Sequence, residues 1–128
     1  NIFYFTISYD ESVAPEGCSD DAEFFPGDEI HSPTWGSATE PALCDYALME
    51  SDKSKKVIVE ILFFEFNECC DTLTIYDGLM GTTVLKTITG YLGITSIKVT
   101  ASTNSIRMEW NAKSGAHVRG WHAKVGSV

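Results

Sequence analysis

The chain has 128 residues, 44% hydrophobic and 21% charged, a balance that suits one domain with one continuous core and argues against disorder. Eighteen acidic against nine basic residues leave a formal net charge of -9, which a duplex phosphate backbone would repel, so nucleic acid is excluded as a partner. No stretch approaches the roughly 18 uninterrupted apolar residues of a membrane-spanning helix, and the start at Asn1, with neither initiator Met nor signal sequence, leads to the expectation of a mature or excised fragment.

The opening NIFYFTISYD alternates Phe3, Phe5, Ile7 and Tyr9 with Tyr4, Thr6 and Ser8, which predicts an aromatic-faced strand in an N-terminal extension over 1–12 that precedes the domain at 13–128. From Glu11 to Leu43, Pro15, Gly17, Pro26, Gly27, Pro33, Gly36 and Pro41 break every incipient element, leaving room for short strands at Ala22–Phe25 and Glu29–Ile30. The acidic patch here (Asp20, Asp21, Glu23, Asp28, Glu29) reads as a solvated loop. A cross-link between Cys18 and Cys44 would close a loop of 25 intervening residues (19 to 43), worth about 3 kcal/mol in the chain-entropy model.

Asp45–Glu50 is the next expected strand, and SDKSKK makes a polar turn before VIVEILFFEF at Val57–Phe66. That run is apolar on both sides, Val57, Val59, Ile61 and Phe63 against Ile58, Leu62, Phe64 and Phe66. Periodicity alone would allow a buried helix, and β-branched and aromatic content decides for a strand. Strands then follow at Thr72–Tyr76, Val84–Ile88, Thr95–Ser102, Ser105–Trp110 and Trp121–Val125, with Ile97, Val99, Ala101, Ile106, Met108 and Trp110 facing inward and Arg107 and Glu109 outward. So many short strands without a helix require two sheets that cover each other's apolar faces, an antiparallel β-sandwich of jelly-roll type.

Catalysis finds little support in this text. The GxSxG elbow is missing, and Ser114, near His117 in KSGAHVRG, reads as part of a hairpin turn. Zinc fails on spacing, since there is no CxxC and His31, His117 and His122 are scattered. Asp71 and Asp77 in DTLTIYDG could contribute oxygens to calcium but do not match an EF-hand loop. Four cysteines in a small domain favour disulfides and an oxidising compartment.

From Cys18 to Val125 the sequence resembles a CUB domain, the extracellular sandwich found in complement proteases, astacin-type metalloproteases and spermadhesins. The resemblance rests on Cys18, IHSPTW, CDYAL from Cys44, FFEFNE, DTLTIYDG, TNSIRMEW and RGWHAKV. It implies a Cys18–Cys44 disulfide. In the calcium-binding members three acidic positions hold the ion, and these fall here on Glu68, Asp71 and Lys113; the lysine would repel a divalent ion and could pair with Asp71 or Glu68 instead. The resemblance therefore implies no cofactor, with Glu68 and Asp71 as the ligands should calcium bind. The family's second disulfide has also lost a partner, since Thr89 stands before Gly90. Cys69 and Cys70 are left to bond to each other, to bond to another chain, or to remain free.

The expected function is that of a secreted, non-catalytic module whose loops bind an extracellular protein or a glycan. Its contact residues are expected at Glu68, Asp71, Tyr76, Asp77, Lys113, His117 and Arg119, led by Tyr76 and Arg119 because Tyr and Arg anchor interfaces. Glycan binding would use an aromatic platform such as Trp35, and a homodimer would form edge to edge through the N-terminal strand.

Overall fold

The described residues contain ten strands and no helix, and along most of the longer strands buried and more exposed side chains alternate. The structure is a computed structural model. It describes residues 23–33, 35, 41–67, 69–90, 92–93, 96–113 and 118–128. The expected strand at 1–10, the 1–12 extension, Cys18, Asp20, Asp21, Glu68, Ser114 and His117 lie outside the described residues.

The strands are β1 (Glu23–Phe24), β2 (Glu29–His31), β3 (Ala42–Met49), β4 (Val57–Glu65), β5 (Thr72–Asp77), β6 (Val84–Ile88), β7 (Leu92–Gly93), β8 (Ile97–Thr100), β9 (Ser105–Ala112) and β10 (Gly120–Ser127). They form two sheets, β1-β3-β9-β5-β6 and β2-β10-β4-β7, with β8 also paired to β4. Every pairing is antiparallel except the short one between β1 and β3. The all-β antiparallel sandwich expected from the alternation is the observed fold.

Between the sheets lies an aromatic centre. Trp110, Trp121, Tyr46 and Phe66 are each at most 2% exposed. Tyr46 meets Trp121 edge-on with centroids 5.2 Å apart, and Phe66 lies 4.9 Å from Trp110. Ile106, Met108 and Trp110 point inward along β9 as expected, with Leu73 and Ile75 beside them on the same sheet and Val57, Val59 and Ile61 contributed by the opposite one. Burial pushes the Tyr46 phenol far above its ordinary value of 10.0, so it stays neutral in the core.

Several boundaries and one face differ from expectation; β9 runs on past Trp110 to Ala112, and β10 covers Gly120–Ser127 where Trp121–Val125 was expected. β3 begins at Ala42 because Ala42 and Leu43 continue the ladder opposite Ala112 and Asn111. The strand expected at Thr95–Ser102 occupies Ile97–Thr100, where it pairs with Ile61–Ile58. In β4 a register shift opposite the His122/Ala123 step inserts one extra residue, Leu62. A bulge exchanges the two faces beyond it. Phe64 and Phe66 therefore pack on the core, while Phe63, expected beside Val57, turns outward beneath Arg119 and Trp35.

Candidate binding surface

β4 ends at Glu65, and the chain resumes in the other sheet at Thr72. Phe66, wholly buried against Trp110, anchors the crossing. The Asn67 carbonyl accepts from the amides of Cys70 (3.0 Å) and Asp71 (3.1 Å), and the Asn67 amide donates back to Asp71 Oδ2 at 2.9 Å. A short turn is thereby tied at both ends. Pairing of β5 with β9, Thr72 opposite Asn111, brings Lys113 to this end of the sandwich. Pairing of β10 with β4, Gly120 opposite Glu65, brings Arg119 there too.

Asp71 is only 2% exposed. Desolvation dominates its electrostatics and raises its pKa above the ordinary 3.8, while the backbone amides of Asn67 and Lys113 act in the opposite direction. Oδ1 has no hydrogen-bond partner among the described residues. The Lys113 amide thus favours the charged form without satisfying that oxygen by hydrogen-bond geometry. The expected pairing of the Lys113 ammonium with Asp71 is not made: the side chain is exposed, and no ion pair joins the two. What Lys113 offers Asp71 is its backbone.

Arg119 is committed to its neighbours. Its amide (2.8 Å) and Nε (3.1 Å) both donate to Glu65 Oε1, and its guanidinium lies 4.6 Å from the centre of the Phe63 ring. The Arg119 side-chain hydrogen bond is the main reason the Glu65 carboxyl sits below its ordinary 4.5. Cys69 and Cys70 are bonded to each other. Cys44, wholly buried, belongs to a separate disulfide whose expected partner, Cys18, lies outside the described residues.

Tyr76 and Asp77 do not share this end. They close β5, and its six residues in extended geometry set them about 20 Å from Asp71. Asp77 accepts from the Ser102 amide (3.0 Å) and hydroxyl (2.6 Å), pinning the turn before β9 to the end of β5. Tyr76 lies under Arg107, 4.1 Å from guanidinium carbon to ring centroid, and Arg107 also binds Asp45 at 2.8 Å. Arg107, Glu65 and Ser102 were therefore missed as partners. The outward position of Arg107 on its strand was legible, but its contacts depend on residues 31 and 62 positions away.

On the outer face of the second sheet, Trp35 packs against Phe63 (5.4 Å) and His122 (5.7 Å). His122 pairs with Glu29 at 3.0 Å, and His31 Nδ1 lies 2.9 Å from the Ser32 carbonyl, so both described histidines engage groups other than a nucleophile.

The family model of the CUB domain matches residues 18–125. No curated protein matches the sequence. Among solved structures, the full extracellular region of zebrafish Gpr126/Adgrg6 is similar with a TM-score of 0.72 and 16% identity, over 86% of this chain and 15% of that one. The CUB1-EGF-CUB2 domain of human MASP-1/3 is similar with a TM-score of 0.71 and 17% identity, over 89% of this chain and 43% of that one. A MASP-1 CUB2 domain bound to Ca2+ is similar with a TM-score of 0.66 and 16% identity, over 84% and 98%. The chain thus spans less than half of each of the first two. At these identities the likeness shows the fold alone. Of the positions expected to hold calcium, Asp71 is buried, Lys113 is exposed and Glu68 lies outside the described residues; among the described residues no group of three or more His, Cys, Asp or Glu side chains is arranged to hold an ion.

Proposed function

Because the chain belongs to the CUB domain family, we propose that it is a secreted, non-catalytic recognition module of a larger extracellular protein, docking a protein partner at the Asp71 end of the sandwich. CUB domains generally serve as extracellular protein-binding modules within larger proteins. The observation that carries the proposal is the Asp71 carboxylate, 2% exposed, with Oδ1 unpartnered among the described residues. A buried carboxylate left partly unsatisfied is costly. A positive group docked over this end offsets that cost through space, without entering the buried pocket, and the formal charge of -9 draws basic surfaces toward the chain. The fitting partner is a protein presenting a lysine or arginine.

The test is a binding screen of the wild-type chain against extracellular protein ectodomains, repeated with Asp71→Asn and with Tyr76→Ala. Binding that is lost in Asp71→Asn and kept in Tyr76→Ala supports docking at the Asp71 end. Binding that Asp71→Asn leaves intact refutes it. Signal confined to a glycan array and abolished by Trp35→Ala would instead support a lectin-like module built on the Trp35–Phe63–His122 cluster.

A further inference from the structure

A disulfide between sequence neighbours closes a ring with no residue inside it, so it takes almost no freedom from the unfolded chain. Cys69–Cys70 is such a ring and contributes almost nothing as a staple. Its setting differs from that of a structural cystine as well. Cys69 is exposed and Cys70 half-buried, whereas Cys44 is wholly buried. Thiol exchange requires an attacking thiolate to reach a sulfur, so the fold leaves Cys69 open to attack and seals the sulfur of Cys44.

The surroundings also suit the opened ring. Asn67 Oδ1 stands 3.3 Å from Cys69 Sγ. A disulfide sulfur has no proton to give, but a Cys69 thiol could donate to that oxygen, so an acceptor for the reduced form is already within reach. The turn itself is tied by the Cys70 and Asp71 amides to the Asn67 carbonyl and does not depend on the bridge.

We propose that Cys69–Cys70 is a thiol-exchange site, whose co-reactant is a low-molecular-weight thiol or the cysteine of a thiol oxidoreductase. The external thiolate attacks Cys69 Sγ. The sulfur–sulfur bond breaks, its electron pair leaves on Cys70 Sγ, and that thiolate takes up a proton. A second external thiol attacks the mixed disulfide at the external sulfur and displaces Cys69 as thiolate. One protein disulfide is reduced to two thiols while two external thiols are oxidised to one disulfide. This inference is independent of partner docking at Asp71.

The test exposes the folded full chain to reduced glutathione at about pH 8, where a useful fraction of thiol is ionised, then alkylates and maps the labelled peptides by mass spectrometry. Cys69 and Cys70 are expected to label about tenfold faster than Cys44 or more, and the selectively reduced protein to melt within about 2 °C of the oxidised form. Labelling of Cys44 in step with the pair, or labelling of the pair only on unfolding, overturns the proposal. The double variant Cys69→Ser/Cys70→Ser gives a second reading without reductant. It is expected to melt in the same window, and a variant that fails to fold shows the ring to be structural and likewise overturns the proposal.

Discussion

Replacing Asp71 by Asn isolates the charge of the buried carboxylate while keeping its shape. Asn retains an acceptor for the Asn67 amide, which reaches Asp71 Oδ2 at 2.9 Å. Exchanging a charged acceptor for a neutral one there loses about 0.5–1.5 kcal/mol, whereas placing a neutral amide nitrogen, itself unpaired, where a charged oxygen was buried recovers about 1–3 kcal/mol of desolvation. Because burial raises the pKa above 3.8, the second quantity is the larger, and the variant gains about 1 kcal/mol at neutral pH, or about 4 °C in melting temperature. The pH dependence has a fixed sign. With the folded pKa raised, the native state holds more protons than the unfolded state between 3.8 and the folded value, so wild-type stability falls as pH rises through that window. The penalty is absent below 3.8 and complete above the folded pKa. Melting of the two proteins followed by circular dichroism from about pH 3 to pH 7 should show a difference near zero in acid that grows in favour of Asn as pH rises. A difference that favours Asp at neutral pH, or that widens toward acid, would refute the reasoning.

Three further perturbations probe the neighbouring groups. Millimolar calcium should leave the melting temperature within about 1 °C of its value in chelator, because the donor set holds an exposed lysine; a clear rise would show that the site binds calcium after all. Glu65→Gln should lower stability by about 0.5–1 kcal/mol at neutral pH, as expected for a partly exposed pair with Arg119. The Glu65 carboxyl lies below 4.5, so its contribution is present above 4.5 and lost as pH falls through the folded value; denaturant titrations in which the variant and wild type fail to converge in acid would contradict this. Asp77→Ala should cost about 1–2 kcal/mol by freeing the Ser102 turn and leave partner binding unchanged, so a binding defect without loss of stability would return Asp77 to the contact surface.

Most of the sandwich was legible because period-two alternation is local: each of Ile106, Met108 and Trp110 carries its own inward signal. The bulge in β4 was not. It depends on how β4 pairs with β10, and a one-residue slip there moves Phe63 from core to surface without any mark in VIVEILFFEF. β7, with two residues, is shorter than any alternation that could announce it. The family resemblance covered 18–125 and was matched over the same residues, since a set of spaced turn and cysteine signals survives even where overall identity to similar structures is 16–17%.

The site was harder to read because nearness along a strand is distance in space. Asp71 and Asp77 stand in one short phrase, yet β5 carries them to opposite ends of the sandwich. The contacts that fix their roles come from far along the chain: Ser102 to Asp77 spans 25 positions, Arg119 to Glu65 spans 54, and Arg107 to Asp45 spans 62. The family resemblance put Lys113 with Asp71, and the sheet register does bring the two residues together. Register places a backbone, however, and leaves a long flexible side chain free to remain in water, where an ammonium is better solvated than in a pocket with one carboxylate. The result is a buried negative group whose neighbouring positive side chain stays outside, an arrangement that favours a cation from elsewhere over one from within the fold.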